Sequence, residues 1–240
     1  MAELEVIKHT KKVLASMSSD HGTWHKVKEI FIEIFIIVFA ISLSIWFHNW
    51  SEHRHQQAEV KQFLIGLKED LQKDIVEMSK DKDSYRAQGK LFSYLSHVKL
   101  SENIVPDSIK KHGQWLFNTT ALNPNDGRFE GFKSSGKIGS IEDAELQNDI
   151  MGLYQENIPA LQTSTEVYIE EKKKLFDYIE ANNKRITDST SNLLQILHLD
   201  PAHNIYFFLE NPQEIINRYD ACISKCQTIV DRIDHEIGAK

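Results

Sequence analysis

The chain has 240 residues, enough for one sizeable core, and its 28 Lys and Arg against 35 Asp and Glu leave a formal charge of −7. The first 50 residues hold five charges of each sign, so the whole acidic excess belongs to residues 51–240; without a basic stripe, nucleic acid is excluded as the main partner, because phosphate binding needs clustered cations. Two Cys exclude a disulfide-dense secreted scaffold, and ten Gly with five Pro exclude a collagen-like or linker-rich chain.

From Ile30 to Phe47 the sequence is apolar for 18 residues, with Glu33 as its only charge. As a helix at ~1.5 Å per residue it is about 27 Å long, close to the hydrocarbon thickness of a bilayer. Trp24 precedes the run, and Trp46 and Trp50 stand at and beyond its far end, where indoles favour the membrane interface. A buried core helix with Phe, Ile or Val on every face would need apolar neighbours all round, which this polar chain hardly supplies. The long preceding segment, and HNWSEHRH without a small-x-small site, read as an uncleaved anchor rather than a signal peptide. Lys8, Lys11, Lys12, Lys26 and Lys28 before the span outnumber Arg54, Lys61 and Lys68 after it, which places the N-terminus in the cytoplasm and the C-terminal part in the periplasm of a Gram-negative cell. Within the span, Ala40 and Ser44 form a small-xxx-small pair that permits close helix approach. Glu33 lies about one turn inside the cytoplasmic end. It is either a functional ionisable group or one that reaches the headgroups or pairs with Lys26 or Lys28.

Beyond Trp50 the pattern stays helical. Leu64, Leu71, Met78, Tyr85 and Phe92 recur every seven residues, flanked by Val60, Leu67, Ile75 and Leu95, with Glu69, Asp70, Lys73, Lys80 and Lys82 on the other face. Asp74 and Asp81 fall on the seam, which favours packing within a bundle over a two-stranded coiled coil. Between Ser101 and Gly139, Pro and Gly punctuate the chain; Pro106-Asp107 opens a short helix through Trp115, and NPNDGRFEGFKSSGKIGS reads as a turn-rich connection. Ser140-Ile-Glu-Asp143 has capping-box form before a helix carrying Leu146, Ile150, Leu153 and Tyr154. Pro159 marks a break or kink, after which helix resumes through Val167, Leu175, Tyr178 and Ile179. Asn211-Pro212-Gln-Glu214 starts a final helix with Ile215, Tyr219, Cys222, Cys226, Ile229 and Ile233 on one face.

Motifs for chemistry are few. Gly131-Phe-Lys-Ser-Ser-Gly136-Lys137-Ile138 matches GxxxxGK, but Ile138 stands where a magnesium-binding hydroxyl belongs and no strand precedes it. His48, His53 and His55 cluster after the span, with His21 and His25 before it; on a helix His53 lies roughly 150° round from the other two, a poor three-ligand geometry, so the cluster reads as interfacial packing. Cys222 and Cys226 read as small core hydrophobes, with an inter-subunit disulfide as the alternative. No catalytic motif appears, and no metal or cofactor is expected.

Glu33-Ile34, the apolar run with Ala40, and Asn49-Trp50-Ser51-Glu52 resemble the GE-(apolar)-NNWNE anchor of a large family of bacterial proteins characterised only as a domain of unknown function. The chain resembles that family again at Ser135-Gly136-Lys137-Ile138, followed by Asp143-Ala-Glu-Leu146 and a helix with Tyr154. It departs from the pattern at Ile32 and Ala40, each in place of Gly, and at His48 and Ser51, each in place of Asn. The resemblance implies a single-pass membrane protein with a helical extracytoplasmic domain, and no activity.

The expected fold is all-α: one N-terminal transmembrane helix continuing into a long helix, with an extracytoplasmic helical bundle. Residues 1–27 form a cytoplasmic segment, 28–50 the transmembrane helix, 51–100 a helical stalk, 101–140 a loop-rich connection with a short helix, and 141–240 a helical bundle region. The expected function is a non-enzymatic inner-membrane anchor or scaffold whose partners are the lipid bilayer and either further copies of itself or other envelope proteins. The alternative is an ion-coupled, stator-like subunit using Glu33, by analogy of layout.

Overall fold

The structure, a computed structural model, describes residues 23–99, 101–188 and 190–238. All its regular elements are helical, and among the described residues the only extended pairing is an isolated bridge between Arg185 and Ser191. Helix α1 runs from Thr23 to His97. Compact packing divides the chain after Ala58 into two units.

In the first unit, α1 contains an 18-residue stretch that is long and apolar enough to cross a membrane, and none of it is buried. Phe31, Phe35, Val38, Phe39, Ile41 and Ile45 all lie exposed, on every side of the helix. A helix apolar all round lowers its free energy only in an apolar surrounding.

The second unit begins at Glu59, where α1 acquires two distinct faces. Leu64, Leu71, Met78, Tyr85 and Phe92, the seven-residue series, are all buried, as are Val60, Leu67 and Leu95. Each such side chain contributes about 1.5–3 kcal/mol on burial. Against this face pack α6 (Ile158–Asn182), α8 (Asp200–Leu209) and α9 (Gln213–Gly238). The Tyr85 ring meets Tyr168 of α6 edge-on at 5.2 Å and Tyr219 of α9 at 5.8 Å, and Phe92 stacks on Tyr206 of α8 at 5.9 Å. Lys68 pairs with Asp234 and Lys82 with Asp220, both at 2.5 Å, so advancing along α1 means retreating along α9 and the two helices are antiparallel. Residues Ile215, Tyr219, Cys222, Cys226, Ile229 and Ile233 form the buried stripe of α9, as their spacing predicts. Asn211 accepts the Gln213 N–H at 3.3 Å at its start.

Between α1 and α6 the chain differs from the sequence reading in three places. The helix expected from Pro106 to Trp115 forms as two pieces, α2 (Pro106–His112) and α3 (Gln114–Phe117). Part of the stretch read as turns is helical: α4 covers Gly127–Ser134, and a 3-10 turn covers Lys137–Ser140. Phe129 and Phe132 explain this, for a helical turn sets both rings inward, Phe129 stacked on Tyr154 at 4.2 Å and Phe132 on Phe63 at 4.0 Å. Helix α5 (Ala144–Gly152) is capped by Asp143 itself, whose carboxylate accepts the N–H groups of Glu145 and Leu146 at 2.9 and 3.0 Å; Ser140 belongs to the 3-10 turn. A π-helical turn, Leu153–Asn157, then leads directly into α6. Pro159 has no N–H for the Gln155 carbonyl, and a widened turn is the local response to that gap. Along α6, Leu175 and Ile179 are buried, while Val167 is exposed. After α6, the short helix α7 (Leu193–Leu197) and α8 close the core, where the hydroxyls of Tyr178, Tyr206 and Tyr168 donate to the carbonyls of Ile196, Leu197 and Leu209 at 3.0–3.1 Å.

Candidate functional site

The densest polar arrangement in the second unit lies on the buried side of α1. Asp70, Asp74, Glu77, Asp81 and Gln88 follow steps of three, four or seven residues, so they share one helix face. Asp70, Asp74, Asp81 and Gln88 are buried. Beside them, chain 118–128 crosses α1 antiparallel. Arg128 Nε donates to Asp70 at 2.9 Å, and Asn125 donates to Asp74 from its backbone N–H at 3.1 Å and from Nδ2 at 2.6 Å. The Asn123 N–H donates to Glu77 at 3.1 Å, and Thr120 Oγ1 donates to Asp81, which also accepts the Tyr219 hydroxyl at 3.2 Å. Tyr85 donates to the Thr120 carbonyl at 2.6 Å.

The chemistry follows from the backbone. Residues 118–126 are not helical, so apart from the Asn118 N–H and the Asp126 carbonyl at its ends, which bond to α3 and α4, the segment lacks the repeating hydrogen bonds of a helix. Carboxylates one or two turns apart on α1 supply acceptors at the needed spacing. Burial raises the Asp74 and Asp81 carboxyls above the usual range, and the hydrogen bonds from Asn125, Thr120 and Tyr219 offset part of that rise. Asp70, read from the sequence as part of the solvated face, is instead buried against Arg128. Gly66 makes this possible, because a Cβ there would lie 2.2 Å from Arg128 Cζ.

At one end of the ladder stands Lys172 of α6, 2 % exposed. Its ammonium donates to Gln88 Oε1 at 2.6 Å and to the Asn118 carbonyl, and it lies 5.9 Å from the Phe92 ring centre. Burial lowers its pKa to about 8. Sequence reasoning missed this residue, although a signal was present: Leu161, Thr165, Tyr168, Lys172, Leu175 and Ile179 form one three-and-four-step stripe, and a Lys inside it marks a buried cation. Asp74 and Asp81 carried the matching signal on α1.

The segment Ser135-Gly136-Lys137-Ile138 lies nearby in the same unit. Gly136 takes the left-handed conformation, φ 74°, to end α4, and Lys137 pairs with Glu59 at 2.7 Å. An open cleft of about 350 Å³ lies among Gln62, Arg128, Ser135 and Lys137. The phosphate-loop resemblance fails structurally, because Gly131 to Ser134 are helical and cannot wrap an anion with successive N–H groups.

In the first unit, Trp24, Trp46 and Trp50 are exposed, Arg54 lies over the Trp50 ring at 5.0 Å, and Glu33 is half-exposed. Ser44 donates its hydroxyl to the Ala40 carbonyl at 2.8 Å, so the small-residue face presents no unsatisfied hydroxyl. His48 sits 3.8 Å from Glu52. His21, Lys8, Lys11 and Lys12 lie outside the described residues, as do the side chains of His25 and Lys26. No group of three metal-ligating side chains forms among the described residues. Cys222 and Cys226 are free and buried, their thiols pushed up to about 11 and about 12 by desolvation, as small core hydrophobes should be.

None of the curated proteins matches the chain, and none of the solved structures does. A family model described as a family of unknown function, DUF6090, matches residues 33–195, from the charge in the apolar run through the ladder segment, the Ser135-Gly136-Lys137 turn and α6. The chain therefore belongs to the DUF6090 family of unknown function.

Proposed function

We propose that this protein is a non-enzymatic, single-pass anchor or scaffold of the bacterial inner membrane. Its N-terminus is cytoplasmic, and its helical domain lies in the periplasm, where it oligomerises or binds another envelope protein. The observation carrying this reading is the contrast within α1: its apolar stretch is unburied on every side, while its residues from Glu59 onward bury one face in a core. Lipid is the solvent that such a stretch requires. The buried polar groups support a structural role, since Asp70, Asp74, Asp81 and Lys172 are each engaged in holding chain 118–128 or Gln88. Cross-linking in the native membrane, followed by mass spectrometry, tests the reading. It should recover a defined neighbour, either a second copy or one envelope protein, through lysines of the helical domain. Recovery of the uncross-linked chain alone would overturn it.

A second reading rests on Glu33, the only charge between Ile30 and Phe47. One span with an intramembrane acid and a periplasmic domain is also the layout of an ion-coupled stator subunit. Glu33→Gln separates the two, abolishing function in a stator and leaving an anchor's membrane insertion and cross-linking partners unchanged.

A further inference from the structure

A cleft of about 600 Å³ opens in the second unit between α1 and the α2–α3 pair, away from the acidic ladder. Its size falls within the range of small-molecule sites. Leu91 is buried at its base, and Tyr94 and Trp115 are half-buried against the core beside it. The Tyr94 hydroxyl accepts the Val105 N–H at 3.0 Å, which fixes that ring in place. Arg86, Lys90 and His112 stand round this apolar floor, with Asp83 the one carboxylate among the lining residues.

The state of these polar groups distinguishes the cleft. Arg86 Nη1 donates to Asp83 at 2.9 Å, and among the described residues Asp83 takes one of the five guanidinium N–H groups. Lys90, His112 and the Trp115 indole N–H make no hydrogen bond or ion pair among the described residues. Arg86 is paired here as Lys137 is by Glu59, Arg128 by Asp70 and Lys225 by Asp149 beside two other clefts of the unit, so Lys90 is the cation of this rim that has no carboxylate partner among the described residues. In a chain of charge −7, a concave aromatic surface rimmed by unpaired donors is complementary to an anion with an apolar body.

We propose that this cleft binds an anionic amphiphile, with the acyl or aryl body on Leu91, Tyr94 and Trp115 and the carboxylate or phosphate head held by Lys90 and Arg86. The head and tail requirements are separable. A charged head lowers the free energy through two cations at an exposed rim, and a tail does so by covering two aromatic rings. The site is independent of the anchor reading, since membrane insertion does not involve Lys90 and cross-linking to a partner can proceed through the other lysines of the helical domain.

The four tryptophans are Trp24, Trp46, Trp50 and Trp115. Replacing the first three by Phe in the full chain leaves Trp115 as the only indole reporter. This variant is reconstituted in phosphatidylcholine nanodiscs and titrated with octanoate or with octan-1-ol. Octanoate is expected to shift Trp115 emission saturably, with octan-1-ol at least tenfold weaker. Lys90→Glu should weaken the octanoate response at least tenfold and Lys90→Gln by an intermediate factor, with the helical circular dichroism unchanged. A parallel set of nanodiscs containing phosphatidylglycerol distinguishes the source of the anion. A lipid occupant shifts Trp115 before any titration, and Lys90→Glu abolishes that shift. A response that never saturates, equal responses to octanoate and octan-1-ol, insensitivity to Lys90→Glu, or no response in either set would each overturn the proposal.

Discussion

Lys172→Met should change the pH dependence of stability in a direction set by burial alone. In the folded protein, desolvation lowers the Lys172 pKa from 10.5 to about 8. The unfolded chain therefore holds this proton over a range where the folded chain has released it, and stability rises with pH across that range. Between pH 7 and pH 9 the folded Lys172 loses most of its proton while the unfolded one keeps it, a gain of about 1 kcal/mol. Cys222 and Cys226 oppose this above about pH 8, because their thiols ionise first in the unfolded chain. Tyr85, Tyr154, Tyr168, Tyr206 and Tyr219, all raised by burial, oppose it more strongly above about pH 10. Comparing wild type with Lys172→Met cancels those other groups. The variant also strands Gln88 Oε1 and the Asn118 carbonyl, a fixed penalty that does not vary over this interval. The expected result, read by thermal circular dichroism of the full chain in detergent, is a Tm gap that widens in favour of wild type by roughly 2–4 °C from pH 7 to pH 9. Parallel Tm-versus-pH curves would refute the assignment of Lys172 as a buried, largely uncompensated cation.

The ladder makes further predictions. Asp74→Ala leaves two Asn125 donors without their acceptor and should lower stability by about 2 kcal/mol, seen as a lower urea midpoint, with Asp74→Asn intermediate; an unchanged midpoint would show that chain 118–128 is not held there. Gly66→Ala places a methyl where the half-exposed Arg128 guanidinium lies; that flexible end can swing aside, so the cost should be no more than about 1 kcal/mol, mainly the loosened Asp70 pairing, and should vanish in an Arg128→Ala background, a non-additivity that a double-mutant cycle measures. Two glycine substitutions should have opposite signs in thermal melts. A Cβ at Gly89 would lie 2.7 Å from Pro212 Cδ, so Gly89→Ala should destabilise by about 1–3 kcal/mol; Gly131 has open space and sits inside α4, so Gly131→Ala should stabilise by about 0.5–1 kcal/mol.

Local pattern alone was enough for the all-helical class, the apolar stretch of α1, the seven-residue series from Leu64 to Phe92 and the buried stripe of α9. Each is a periodic property of contiguous residues, and helix geometry converts such a period directly into a face. Even Asp74 and Asp81 announced that the seam was more than apolar. What they bind was not legible, since Thr120 and Asn125 lie 39 and 51 residues further along, in a stretch with no period of its own. Helix α4 illustrates the same limit: its glycines favour turns locally, and stacking of Phe129 and Phe132 on distant rings outweighs that preference. Lys172 and Asp70 were placed inside by tertiary packing, because burial of a charge depends on which partners arrive from elsewhere in the chain. Periodicity names the face of a helix; only the assembled core decides what that face meets.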